Sequence, residues 1–311
     1  MDNLTHYKEL YILAFSSYLE KRHLIFTAFL LLYLIGVVWN LAMIIVIYCD
    51  SHLHTPMYLF LINLSLVDIC YPTVTLPKLM DILLTRKIAI CLITCLTQTF
   101  FFMFMGGTEI ILLSCMAYDR YVAICNPLHY SLILNNRKCA LLLGLSWGSS
   151  FVNAIFITLM ASQLVFCHTK EIYQFFCDVK ALSAISCADV GFQQVIFIEA
   201  LLYGLFPLVI SLTSYANIIK IIAGIKTSQG RKKAFSTCLS HLSVVILYYV
   251  TIMCVYMRSA DEISDAMDHF LSVLYTTVTP MLNPLIYSLR NQDVQRAILK
   301  LVALINVKFV Q

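Results

Sequence analysis

The sequence predicts an all-α membrane protein, a seven-transmembrane-helix bundle followed by a short amphipathic helix, on three observations. The chain has 311 residues, 60% hydrophobic and only 12% charged, with mean hydropathy +0.84. A soluble domain carries about 25% charged residues and could not bury so much apolar surface, so the excess must face lipid. The apolar residues fall into seven runs near the bilayer-spanning length of about 20 residues, at roughly 24–48, 57–80, 92–118, 139–161, 194–221, 236–257 and 269–289. The short alternating segments of a membrane barrel are absent, so each run must satisfy its own backbone as a helix.

Residues 1–23 precede the first run and read as an extracellular N-terminus. The apolar piece Tyr11–Phe15 is too brief for a cleavable signal, so the first span is expected to act as an uncleaved anchor. Asn3-Leu4-Thr5 is a glycosylation sequon, which works only on the lumenal side. The charges between runs agree. Arg120, Arg137 and Lys138 follow the third span, Lys226, Arg231, Lys232 and Lys233 the fifth, and Arg290, Arg296 and Lys300 the seventh. Between spans six and seven stand Asp261, Glu262, Asp265 and Asp268 against Arg258. The positive-inside rule then puts the N-terminus outside and the C-terminus in the cytoplasm, with mild dissent from Lys78, Arg86 and Lys87. Residues 24–289 make the spanning domain and 290–311 the cytoplasmic end. There Val294, Ala297, Ile298, Leu301 and Val302 keep helical spacing, with Gln295, Arg296 and Lys300 opposite, as in a helix lying on the inner membrane surface.

Of the 12 cysteines, Cys49, Cys70, Cys115, Cys125, Cys139, Cys238 and Cys254 lie in spans or at cytoplasmic ends, where they read as small buried hydrophobes. Cys95 starts the third span on the outer side, and Cys167, Cys177 and Cys187 occupy the long loop between spans four and five. That compartment oxidises thiols. Four cysteines make two disulfides, with three connectivities open, and Cys91 is left over. A zinc site from Cys167, His168 and Cys177 is the weaker alternative.

Five strings stand at defined membrane depths. Leu53-His54-Thr55-Pro56-Met57-Tyr58 precedes the second span. Met116-Ala117-Tyr118-Asp119-Arg120-Tyr121-Val122-Ala123-Ile124-Cys125-Asn126-Pro127-Leu128-His129-Tyr130 closes the third. Ser214-Tyr215 ends the fifth, and Lys233-Ala234-Phe235-Ser236-Thr237-Cys238-Leu239-Ser240-His241-Leu242 opens the sixth. Pro280-Met281-Leu282-Asn283-Pro284-Leu285-Ile286-Tyr287-Ser288-Leu289-Arg290-Asn291 ends the seventh. Together they resemble the signatures of vertebrate olfactory (odorant) receptors within the rhodopsin-like class of G-protein-coupled receptors, from about residue 9 to 300. Three positions depart from that pattern: Trp39 and Val250, where glycine is usual, and the extra Cys91. Among the disulfide connectivities, the one carried forward joins Cys95 to Cys177 and Cys167 to Cys187.

The resemblance implies that Asp119, Arg120 and Tyr121 form part of the switch facing a G protein. An adjacent acid holds Arg120 at rest, and its release frees five donors. Asn283-Pro284 disrupts the seventh helix, and with Tyr287 makes a joint that can repack, Tyr215 being its counterpart on span five. Pro207 is expected to kink span five. Asn40, Asp68, Glu109 and Asn283 are expected to converge in the interior, around water or a sodium ion at Asp68 and Glu109, because intramembrane acids are costly and usually functional.

A ligand cavity is expected in the outer half of the bundle. Helical spacing groups Thr99, Phe102, Met103 and Gly106 on span three, Glu199, Tyr203 and Phe206 on span five, Tyr249, Ile252, Met253 and Tyr256 on span six, and Val273 and Thr276 on span seven. The lining is mostly apolar and aromatic, as suits a small, fairly hydrophobic molecule. Glu199 needs a partner, either a ligand or a residue such as Lys180 or Arg258. The resemblance implies binding of a small-molecule odorant and activation of a stimulatory, cyclic-AMP-raising heterotrimeric G protein from the plasma membrane. No cofactor, resident metal, nucleic acid or enzymatic chemistry is expected. A transporter reading lacks the internal repeats it needs. A retinal receptor lacks a lysine in span seven, and an amine receptor lacks an acid where Phe102 and Met103 stand.

Overall fold

The computed structural model describes residues 9–15, 20–167, 169–187, 190–224, 227–256 and 265–309. Asn3, His168, Lys226, Arg258, Asp261 and Glu262 lie outside the described residues. So do the side chains of Lys232, Lys233, Tyr256, Asp265, Asp268, Arg290 and Val302.

Seven helical rods run through the described residues. Span one is α1 (Arg22–Cys49), span two α2 (Pro56–Thr85) and span three α3 (Leu92–Cys125). A short helix α4 (Tyr130–Ile133) leads into span four, α5 (Asn136–Ser162), and a loop helix α6 (Val179–Ile185) follows. Span five is α7 (Val190–Glu199), a π-helical stretch Ala200–Leu205 and α8 (Phe206–Ala223). Span six is α9 (Ser228–Tyr256). Span seven is α10 (Asp265–Val273), a second π stretch Leu274–Val278 and α11 (Thr279–Arg290), and α12 (Gln292–Phe309) ends the chain.

The rods extend past the apolar runs, most at the end that carries Arg120 and Arg231: α3 continues to Cys125 and α9 begins at Ser228. An apolar run ends where charges begin, but the backbone bonds of a helix continue into water. Five rods are long and apolar enough to cross a membrane by themselves. The sixth carries a polar, basic start ahead of its apolar piece His241–Cys254, and the π stretch divides the seventh into two shorter helices.

Each π stretch lies just before a proline, Pro207 or Pro280. Proline has no N–H to give the preceding turn, so the ladder widens there by one residue. In span seven the Thr279 hydroxyl donates to the Leu274 carbonyl at 3.0 Å, covering part of the gap. Pro284 stands inside α11, which runs on past it.

Rod α3 is central and packs on α2, α5 and α8. The lipid side is plain in α5 and α8, where Val152, Leu159, Phe206 and Leu212 are more than half exposed. Such side chains meet hydrocarbon, where exposure is not penalised.

Three short strands appear at the end where α2 stops and α3 starts, a feature the apolar runs do not announce. Strand β1 (Glu9–Ile12) lies in the middle, pairing antiparallel with β2 (Ala89–Cys91) and parallel with β3 (Glu171–Ile172). Leu10 and Ile12 are fully buried beneath this sheet.

Candidate functional site

The end that carries the three strands is tied together first. Cys95 of α3 bonds to Cys177, and Cys167 bonds to Cys187. This is the expected pairing, and it leaves Cys91 free and exposed. With both Cys167 and Cys177 in disulfides, the zinc alternative is excluded. The Gln98 amide bridges two elements: its Nε2 donates to the Val74 carbonyl at 2.9 Å, and its Oε1 accepts from the Cys177 backbone N–H at 2.8 Å. Phe175 and Phe176, next to Cys177, are thereby carried inward and buried.

Below this roof lies a packed aromatic cluster. Phe176 packs on Phe102 at 4.7 Å between centroids, and Phe102 on Tyr71 at 5.0 Å. Tyr71 donates its hydroxyl to that of Tyr275 at 2.5 Å, while Tyr248 donates to the Gly106 carbonyl at 3.3 Å. A Cβ on Gly106 would stand 3.3 Å from the Tyr71 hydroxyl and 3.6 Å from that of Tyr275. Glycine is required there by that approach. Of the expected lining, Thr99, Phe102, Gly106, Tyr249 and Thr276 are buried, and Met103, Ile252 and Val273 partly so. Thr99 and Thr276 spend their hydroxyls on their own helix, on the Cys95 and Ser272 carbonyls.

Other expected lining residues go elsewhere. Phe206 is 63% exposed and Met253 46%, both on outward faces. Tyr203 donates to the Ser149 carbonyl at 2.9 Å. Glu199 accepts from the Asn153 side chain at 3.0 Å. Its partner among the described residues is therefore an amide on span four, which sequence reasoning missed; Arg258, also considered for it, lies outside them. Tyr71, Tyr248, Tyr275 and Phe176 were also missed, because aromatic residues in apolar runs look like ordinary core.

In mid-bundle, Asn283 donates through Nδ2 to both oxygens of Asp68, at 3.0 and 3.1 Å. Asn40 donates to the Gly36 carbonyl at 3.0 Å and the Pro280 carbonyl at 3.2 Å, fastening α1 to span seven. Glu109 is buried within electrostatic reach of Asp68 and Asn283. Buried oxygens of Asn40, Glu109, Asn283 and Tyr287 have no hydrogen-bond partner. Buried polar atoms are rarely left so without water or an ion beside them. Among the described residues no group of three or more His, Cys, Asp or Glu side chains could hold a metal ion.

At the inner end, Arg120 lies against Asp119, with Nη2 2.6 Å and Nε 3.1 Å from Oδ2. Tyr130 donates to the other carboxylate oxygen, Oδ1, at 2.7 Å. Burial, and then the adjacent Asp119 charge, push the Tyr130 phenol well above its usual range, so it stays a donor. Tyr215 bonds His241 Nδ1 at 2.5 Å across spans five and six. Tyr121 packs beside Tyr215, and Tyr287 is fully buried. Two of these partners, Tyr130 and His241, were visible within the quoted strings without any role assigned.

Comparison with known proteins agrees with this layout. The family model described as olfactory receptor matches residues 29–304. The chain is 46% identical to gorilla olfactory receptor 1G1 over 301 residues, 96% of each chain. It is 46% identical to human olfactory receptor 1M1 over 302 residues, again 96% of each. To the canine olfactory receptor-like protein OLF4 it is 44% identical over 96% of this chain and 97% of that one. A seven-rod bundle with these motifs, matched along nearly its whole length, places the chain in the olfactory receptor family, as a multi-pass membrane receptor and not an enzyme.

Proposed function

We propose that this receptor binds a small, mostly hydrophobic odorant in a chamber beneath Phe176 and passes the signal to a stimulatory heterotrimeric G protein, raising cyclic AMP. The observation that carries the reading is the inner end of α3. Arg120 is held by one carboxylate, which Tyr130 also holds from the other side. A ligand shifts such an equilibrium only by the difference in its affinity for the two states. Binding between Phe102, Gly106, Tyr249, Ile252 and Thr276 would favour an arrangement in which span six swings out and Arg120 leaves Asp119. Arg120, Tyr215, the basic segment around Arg231 and the start of α9 would then receive a G-protein helix.

The disulfide-bonded end with its three strands faces outside in this proposal, and the N-terminus with Asn3 glycosylated lies there too. The end carrying Arg120, Arg137, Lys138 and Arg296 faces the cytoplasm, as the positive-inside rule has it. The carboxyls of Asp68 and Glu109, with the unpartnered Asn283 amide oxygen, fit a sodium ion as well as they fit water, since a hard cation takes oxygen ligands.

The test is a volatile library applied to cells expressing the chain, read by cyclic AMP. Arg120→Ala, delivered to the surface, should lose the response. A full response from that variant would reject the coupling assigned to Arg120.

A further inference from the structure

We propose that the cleft between spans one and seven is a second binding site, which takes a small apolar ligand of the odorant class out of the outer leaflet and hands it to the chamber. The proposal rests on the ligand reading above. The cleft offers about 350 Å³ between Ile25, Ala28 and Phe29 of α1 and His269 and Val273 of α10, with Phe15 also in its lining. Small-molecule sites start at about 300 Å³, so one compact ligand fits. The walls offer hydrocarbon and aromatic faces. Their one polar side chain, His269, lies with Nε2 2.8 Å from the Tyr173 carbonyl, to which that N–H donates. Among the described lining residues no carboxylate, ammonium or guanidinium stands ready to meet a charged ligand.

One further observation points to the direction of entry. Beside the cleft, Leu10 and Ile12 of the sheet are buried, and so are Phe175, Phe176 and Cys177 of the loop. The cleft borders residues that face lipid, with Leu24 70%, Leu31 53% and Phe270 61% exposed on the same two helices. Small apolar molecules concentrate in the bilayer because water expels them, so the occupant arrives from that side.

A row of packed rings also runs from the cleft toward the proposed chamber. Phe29 lies 6.4 Å from Phe175, Phe175 lies 4.9 Å from Phe176, and Phe176 lies 4.7 Å from Phe102. Phe15 has φ 56°, a conformation that a bulky side chain rarely adopts. Its ring stacks on His269 at 4.8 Å and meets Phe29 edge-on at 5.8 Å. The strained residue is thus held as a wall of the cleft by the groups that line it.

The experiment uses the full receptor and an odorant found by the screen. Ala28→Phe and Ile25→Phe fill the cleft without touching the chamber. Each should raise the half-maximal concentration about tenfold, consistent with losing a formed small-molecule site, and slow the onset, with the same maximal response per receptor at the surface. Gly106→Val, which acts in the chamber, should abolish the maximal response. If only Gly106→Val has an effect, the cleft proposal fails and the chamber reading stands. If Gly106→Val has none, the chamber reading fails, and the cleft proposal with it.

If the filled variants do not reach the surface, photolabelling of the wild-type chain in lipid nanodiscs decides. The probe is an aliphatic alcohol carrying a diazirine. Label on peptides covering 25–32 and 269–273, displaced by excess odorant, supports the site. Label that the odorant does not displace, or that spreads along α5 and α8 as an acyl chain would, overturns it.

Discussion

Single residues decide how firmly the inner end is held. Tyr130 and Arg120 share one carboxylate, so removing the phenol leaves Asp119 with Arg120 alone. A hydrogen bond to a charged group contributes about 1.5–3 kcal/mol. Only the part lost on activation acts on the equilibrium. Tyr130→Phe should therefore raise ligand-independent cyclic AMP about three- to tenfold per receptor at the surface, if half or more of that bond is specific to the resting state. Because the phenol is held above its usual range, no change in its contribution is expected as cytoplasmic pH varies about neutrality. Glu199 makes the opposite case. Its bond to Asn153 can be re-formed by a glutamine, so Glu199→Gln should shift responses to amine and neutral odorants alike. A selective loss of amine responses in a dose–response panel would show instead that the carboxylate meets the ligand. The sequence marked Arg120, Asp119 and Glu199 because a charge within an apolar run is conspicuous. Asn153, Gln98 and Tyr130 were illegible as partners, since pairing across helices depends on rotation that spacing within one helix does not specify.

At the scale of elements, close approach of the central rod to its neighbours sets which glycines matter. A Cβ on Gly107 of α3 would lie 3.1 Å from the Ser150 hydroxyl and 3.3 Å from its Cβ, on α5. Gly107→Val should push the two rods apart at about 1–3 kcal/mol, the usual cost of overpacking. The measurement is a lower melting temperature in detergent and weaker surface delivery. Gly148, on the same α5, has nothing within 4 Å of its Cβ position. Gly148→Ala should be neutral or stabilising by up to about 1 kcal/mol, the helix-propensity difference. Equal damage from both would mean that packing on α3 is not the deciding contact. The rods themselves were legible because seven apolar runs are hard to produce by chance. The three-stranded sheet was not, because its longest strand has four residues and its partners are more than 75 positions away in the chain. The π stretches were half legible: Pro207 was expected to distort span five, but Pro280 upstream of Pro284 was passed over as part of a string.

For the whole molecule, the two ends are built from unlike materials. The outer end is closed by two disulfides, one spanning 82 residues, and by a sheet with a buried face. The inner end among the described residues is held by side-chain contacts such as Arg120 on Asp119 and Tyr215 on His241. Between them the Asp68–Asn283 bonds tie span two to span seven. Such a body is tied covalently at one end and by side-chain contacts at the other, so damage at the two ends should be separable. Removing a disulfide from a small domain costs about 2–5 kcal/mol, largely by freeing the unfolded chain. That is a large share of the stability an ordinary domain has. Cys95→Ser should accordingly lose surface delivery and specific photolabelling together with cyclic AMP. Arg120→Ala removes no covalent tie, and should keep delivery and photolabelling while losing cyclic AMP alone. Measured side by side on tagged receptors, the pair separates folding from signalling. Loss of all three readouts in Arg120→Ala would mean that the inner contacts hold the bundle together, and a switch could not then be assigned to them.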